Sequence, residues 1–170
     1  SPLYRKHKSM MERCYDEKYL EKFPSYVGCN VSDNFKYFPN FKAWCDKQIG
    51  FNNKGWCLDK DIILKGNKTY SEDNCCFVPQ EINALFTLSN KIRGEYPIGV
   101  WYNNSTGKFV SQLGGKRPRS LGKFSDVTSA FLSYKVAKEL YIKQIATTWK
   151  ESMDERVYNS LMNWQKKQKK

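Results

Sequence analysis

The stretch from residue 98 to residue 145 constrains this chain more than any other. Residues 98–102, 108–113 and 119–124 are short runs rich in bulky side chains, and they read as strands. Asn103-Asn104-Ser105-Thr106-Gly107 and Gly114-Gly115-Lys116 separate them, the residue types that hairpin connections require. Ser125 then stands where a helix N-cap belongs, with Asp126 in the first turn, where a carboxylate suits the positive end of the helix dipole. Val127, Ala130, Phe131, Tyr134, Ala137, Tyr141 and Ile145 follow at helical spacing. This order predicts a three-stranded antiparallel sheet packed on one helix.

The remaining sequence mixes helices and strands as well. Tyr4, His7, Met11, Cys14 and Tyr15 recur on one face of a helix predicted over 3–18. His7 lies on that face and reads as a satisfied core histidine, not a base. Residues 23–36 are irregular, punctuated by Pro24 and Gly28. Phe38, Phe41, Cys45 and Ile49 mark a second helix that ends at Gly50. A strand over 56–63, a turn at 65–68, a strand over 75–78 and a helix from Pro79 through 86 form a strand–strand–helix unit. Residues 91–97 have linker character. A last helix carries Met153, Val157, Leu161 and Trp164, and the lysine-rich end from Lys166 to Lys170 is expected to be frayed and solvated. The expected division is 1–50, 51–93, 94–148 and 149–170, in an α+β fold.

Charge narrows the partner. Twenty-nine Lys and Arg oppose seventeen Asp and Glu, a formal net charge of +12. Such an excess favours a polyanion, because each neutralised phosphate releases condensed counterions. Binding to an anionic membrane surface would need an amphipathic segment with a broad exposed apolar face, which the sequence does not display. No apolar run is long enough to span a bilayer, and no hydrophobic signal region opens the sequence, so a cytoplasmic location is expected. The six cysteines include no C-x-x-C pair and there is one histidine, so zinc is not expected and all six read as reduced thiols. The N-x-S/T triplets at Asn30, Asn67, Asn103 and Asn104 are then compositional accidents.

Hard-oxygen side chains concentrate in Leu58-Asp59-Lys60-Asp61, Gly66-Asn67, Tyr70-Ser71-Glu72-Asp73-Asn74-Cys75-Cys76-Phe77-Val78 and Asn83. Three readings of these residues are open. Asp59 and Asn83 could hold a divalent cation, Asp59 and Asp61 could hold it together from one face of the strand, or Asp59, Asp61 and Asn74 could tie the hairpin together by hydrogen bonds. Alternation would set Asp59 and Asp61 on one face and Lys60 among Trp56, Leu58 and Ile62, so the strand is expected to bend there. The order D-K-x13-N-x8-N resembles the HNH nuclease motif, and more closely that of phage HNH homing endonucleases. Met11-x-Arg13-Cys14-Tyr15 and the Phe35, Phe38, Phe41, Trp44 series extend the resemblance. It implies a DNA endonuclease that hydrolyses phosphodiester bonds with Mg2+ or Mn2+, in a bacterial host cell if the chain is phage-encoded. Asp59 and Asn83 would be metal ligands, with Asp59, Lys60, Asp61 and Asn74 in the catalytic set. Lys60 stands where that family has its general-base histidine. A lysine is almost wholly protonated at neutral pH, which suits it to clamp a phosphate and not to act as a base. The alternative is a DNA-binding regulator or inhibitor on the same scaffold that does not cleave.

Ile98-Gly99-Val100, Gly107-Lys108-Phe109-Val110-Ser111, Leu121-Gly122-Lys123-Phe124 and Ala130-x-x-x-Tyr134-x-x-Ala137 resemble the Apetala/ethylene-response-factor type of DNA-binding domain. That resemblance implies a sheet in the major groove of double-stranded DNA, with Trp101, Asn103, Lys108, Ser111, Gln112, Arg117 and Arg119 as contacts. The plant domains usually have arginine where Trp101 and Asn103 stand. A host-protein partner and the oligomeric state are left open by the sequence.

Overall fold

The computed structural model describes residues 1–86, 94–115 and 117–166. The fold is α+β and divides into two compact units, 1–85 with 149–161 and 86–148 with 162–170.

The first unit begins with α1 (Pro2–Tyr15), capped by Ser1, whose hydroxyl accepts the Tyr4 amide at 3.2 Å. The helix expected to reach residue 18 stops at Asp16. The Asp16 N–H closes α1 on the Glu12 carbonyl, while its carboxylate accepts the Tyr19 amide at 2.7 Å and starts α2 (Glu17–Lys22). A short polar side chain that competes for backbone groups thus breaks what periodicity alone would continue. A 3-10 turn (Pro24–Tyr26), β1 (Asn30–Val31), α3 (Asp33–Lys36) and α4 (Phe38–Cys45) follow. His7 is 7% exposed, with Nε2 2.7 Å from the Phe35 carbonyl oxygen and its ring against Phe38 and Phe41, the core histidine expected. The second helix ends at Cys45, and turns carry the chain on to Gly50.

β2 (Trp56–Asp59) pairs antiparallel with β4 (Cys76–Pro79), and α5 (Gln80–Ala84) follows directly, so the strand–strand–helix order is present. The helix is shorter than expected at both ends, because Pro79 closes β4 and α5 stops before residue 86. β3 (Thr69–Tyr70) pairs in parallel with β1, a two-residue contact too short to leave a periodic signal. The C-terminal helix α7 (Glu155–Met162) was expected to stand apart, yet most of it completes this unit. The Trp149 ring meets Trp56 edge-on at 5.9 Å, and its Nε1 donates to the Glu81 carboxylate at 2.9 Å. The Arg156 guanidinium donates to the Asp73 carbonyl at 2.8 Å, and Ser160 Oγ to the Ile63 carbonyl at 3.2 Å. Phe35, Phe41, Phe77, Ile82, Val157 and Leu161 are buried at its core. All six cysteines are free thiols and five are buried, Cys57 being the exception. Burial pushes Cys14 up to about 11 and Cys45 and Cys75 up to about 12, which keeps them protonated and unreactive at neutral pH.

In the second unit β5 (Val100–Asn103), β6 (Lys108–Leu113) and β7 (Arg119–Phe124) form an antiparallel sheet in sequence order. β5 starts later than residue 98 because the Val100 amide turns back to the Pro97 carbonyl. α6 (Val127–Trp149) is capped by Asp126, not Ser125. The Asp126 carboxylate accepts both the amide and the hydroxyl of Ser129 at 2.8 Å, while the Ser125 hydroxyl accepts a bond from Lys108 Nζ. Val100 and Leu113 from the sheet meet Ala130, Phe131 and Tyr134 from α6, with Ile98, Phe109, Leu121 and Phe124 around them. Residues 91–93 of the expected linker, Lys116 of the second turn and 167–170 of the basic end lie outside the described residues. No described helix is long and apolar enough to cross a membrane.

Among the glycines of the second unit, Gly99 has the least room for a side chain. Its φ is +81°, and a Cβ there would lie 2.0 Å from the Tyr134 ring. Left-handed backbone costs an L-residue about 1–2 kcal/mol, and steric overlap adds a further 1–3 kcal/mol. Gly99→Ala is therefore expected to destabilise this unit by at least about 2 kcal/mol. Denaturant unfolding checks the magnitude, and amide exchange in 100–124 checks that the loss is local.

Candidate functional site

The hairpin carboxylates have structural partners. Asp59 ends β2, and its Oδ1 accepts the amides of Asp61 and Ile62, each at 2.8 Å. This turn bends the chain where the strand was expected to bend, which is why β2 stops short of residue 63. Burial pushes the Asp59 carboxyl above its ordinary value and the charge of Asp61 adds to this, against the two amides and Lys60. Lys60 is 8% exposed, and its Nζ donates to the Asp61 carboxylate at 3.0 Å beside the rings of Tyr26 and Tyr70. Burial pulls its pKa down, but the hydrogen bond and charge of Asp61, with Cys29 and Asp59, outweigh that and raise it. Lys60 is therefore a cation and not a base. Asn67, which carried no assigned role, holds the bend by donating to the carbonyls of Lys60 at 2.6 Å and Thr69 at 2.7 Å.

The other hairpin candidates are more loosely placed. Asn74 Nδ2 lies 3.4 Å from Ser71 Oγ, and Asn83 is half-buried on α5. Among the described residues, no three His, Cys, Asp or Glu side chains group as they would around a metal ion. A hard divalent cation needs several anionic or carbonyl oxygens. Here one oxygen of Asp59 serves two amides and Asp61 serves Lys60, so the hydrogen-bonding reading of these residues is the one the geometry displays.

The sheet of the second unit is a different kind of surface. Directly opposed residues of an antiparallel pair share a face. Val100, Ser111 and Gly122 form one row, and Tyr102, Phe109 and Phe124 another, on the face that packs on α6. Trp101, Val110 and Lys123 form a row on the outer face, continued by Asn103 with Lys108 and by Gln112 with Ser120. Trp101 is 45% exposed, whereas Val110, flanked by Trp101 and Lys123, is only 6% exposed.

Of the seven side chains expected to meet DNA, Trp101, Asn103, Lys108 and Gln112 share this outer face. Asn103 is engaged by its own turn, its Oδ1 accepting the amides of Ser105 and Thr106. Arg117 lies in the exposed connection, whereas Arg119 opens β7 opposite Leu113, on the α6 side of the sheet, and is exposed at its end. Ser111 does not face outward. It is fully buried between Val100 and Gly122, and its hydroxyl lacks a partner in the interior. Lys123 and Ser120 join the outer face unforeseen, because β7 carries a bulge where Ser111 and Gln112 meet it. Leu121, between Ser120 opposite Gln112 and Gly122 opposite Ser111, is the extra residue, so Leu121 and Phe124 both pack inward, which strict alternation forbids, and Gly122 takes a φ of +130° beside it.

Comparison with protein-family models, curated proteins and solved structures finds no match to this chain.

Two outcomes follow. Ser111→Ala removes a buried, unpaired hydroxyl, so stability should stay the same or rise by up to about 1 kcal/mol in denaturant unfolding. Asp59→Asn keeps the acceptor but removes the ionisation. Because the folded-state pKa of Asp59 is raised, its contribution is full below the ordinary carboxylate range and declines as pH rises through the folded value. Titrating stability across that window, wild type should lose more than Asp59→Asn as pH rises.

Proposed function

We propose that this protein is a sequence-directed, double-stranded DNA-binding protein whose reading element is the outer face of the β5–β6–β7 sheet. One observation carries the reading: Trp101, Lys108, Gln112 and Lys123 lie together on the sheet face that α6 leaves uncovered. A three-stranded sheet of this size fits the major groove, where an amide side chain reads adenine bidentately and lysines neutralise phosphates. Gln112 is the base-reading residue, and Lys108, Lys123 and Arg117 hold the backbone. Trp101 supplies apolar contact to bases or sugars. The net charge of +12 supplies the long-range attraction.

Cleavage is not part of this proposal. The endonuclease reading would need Asp59 and Asn83 to hold Mg2+ or Mn2+, whereas Asp59 anchors a turn and Lys60 is paired with Asp61. The alternative of a non-cleaving binder fits these partners better. Supercoiled plasmid should stay intact with either metal, and metal-dependent nicking that Asp59→Ala abolishes would restore the enzyme reading.

Binding is tested with a duplex chosen from a random pool. If about six phosphates are neutralised, affinity should fall about a thousandfold between 50 and 200 mM salt. Lys123→Ala should lower the salt slope by about one, and Gln112→Ala should relax preference at one base position. Trp101→Ala should weaken binding at least tenfold, while Ser111→Ala leaves it unchanged. A flat salt response, or equal binding by Trp101→Ala, would overturn the reading.

A further inference from the structure

The outer face of the β5–β6–β7 sheet carries one apolar spot. Its outward side chains Asn103, Lys108, Gln112, Ser120 and Lys123 are polar, whereas Trp101 and Val110 are not. Val110 sits in the central strand, directly opposite Trp101 on one side and Lys123 on the other. It is 6% exposed, although it is not among the residues that pack between the sheet and α6. Its neighbours on the outer face therefore lie over it. Trp101 supplies a ring broad enough to do so, and Lys123 an aliphatic stem. Trp101 is itself 45% exposed, as an indole is when one ring face rests on the sheet and the other is open.

What such a plate can meet in DNA follows from base chemistry. In the major groove every base pair presents hydrogen-bond donors or acceptors, and the one apolar substituent there is the C5-methyl of thymine. An indole face set against a donor or acceptor would take that group from water without a partner. Set against a methyl group, it removes apolar surface from water on both sides. We infer that Trp101, held flat on Val110, reads thymine through its C5-methyl and is a specificity-determining residue. This contact rests on the proposed DNA reading and adds a second base contact to that of Gln112.

Register separates the two contacts. Gln112 stands diagonal to Trp101 across β5 and β6, since the Gln112 amide donates to the Gly99 carbonyl at 2.8 Å and Val110 is opposite Trp101. Diagonal neighbours are about 7–8 Å apart, or about two base-pair steps at roughly 3.4 Å each. The thymine therefore belongs to a different pair from the adenine that Gln112 reads. Burying one methyl group strengthens binding about fourfold.

The test uses the full chain and the duplex selected from a random pool. Each thymine is replaced in turn by uracil, which removes the C5-methyl and leaves every hydrogen-bonding group in place. Wild type should lose about fourfold at one position, about two pairs from the one where Gln112→Ala relaxes preference. With 5-methylcytosine·guanine at that position it should bind about fourfold more tightly than with cytosine·guanine, since the methyl group alone returns. Trp101→Ala should bind the thymine and uracil duplexes equally, while Gln112→Ala keeps the difference. Trp101→Gln keeps a side chain without the apolar ring. It should behave as Trp101→Ala does, and it serves where alanine binds too weakly to measure. The salt slope of both Trp101 variants should equal that of wild type, because no phosphate contact is lost.

Uracil tolerated at every position, or a uracil penalty that the Trp101 variants retain, would overturn the inference and leave the DNA reading standing. A chain that selects no duplex and shows a flat salt response would overturn the DNA reading itself, and the thymine contact with it.

Discussion

The close approach of the Gly99 backbone to the Tyr134 ring is the contact on which the second unit is organised. It seats α6 against one face of the sheet, and the pairing registers then follow through to the other face. Once Val100, Ser111 and Phe109 are turned toward α6, alternation turns Trp101, Val110, Lys108 and Gln112 outward. A side chain at residue 99 would force the helix away and open the inner core between the sheet and α6. The surface chemistry of this unit is therefore a consequence of a backbone contact beneath it.

The first unit rests on a different economy of polar groups. Asp16 ends one helix and begins the next, Asp59 bends a strand, and Asn67 binds two carbonyls across the bend. Each is a short polar side chain in place of a longer regular element. The same property explains why Asp59 and Asp61 have little free capacity for other chemistry. A carboxylate that must satisfy two amides, or neutralise a nearly buried lysine, is part of the fold before it is part of a site.

The second unit follows a logic of faces. In the sheet, the bulge in β7 changes which side chains reach the surface, turning Leu121 inward and setting Lys123 opposite Val110 on the outer face. In α6, the helical repeat sets Leu132, Val136 and Leu140 on a second apolar stripe, away from the sheet. Both features place side chains on surfaces that the core of the unit does not need.

Much of the architecture was legible before any coordinates. β6 and β7 follow directly from composition and turn chemistry, as do the strand–strand–helix order and the core role of His7, because local propensity and burial point the same way there. Strand and helix ends were less legible, since Asp16, Pro79 and Asp126 settle them through particular hydrogen bonds or their absence. The inward turn of Ser111, the outward turn of Lys123 and the return of α7 to the first unit were decided only by tertiary structure. Each depends on which residues stand opposite one another across the chain, a pairing that distance in sequence does not encode.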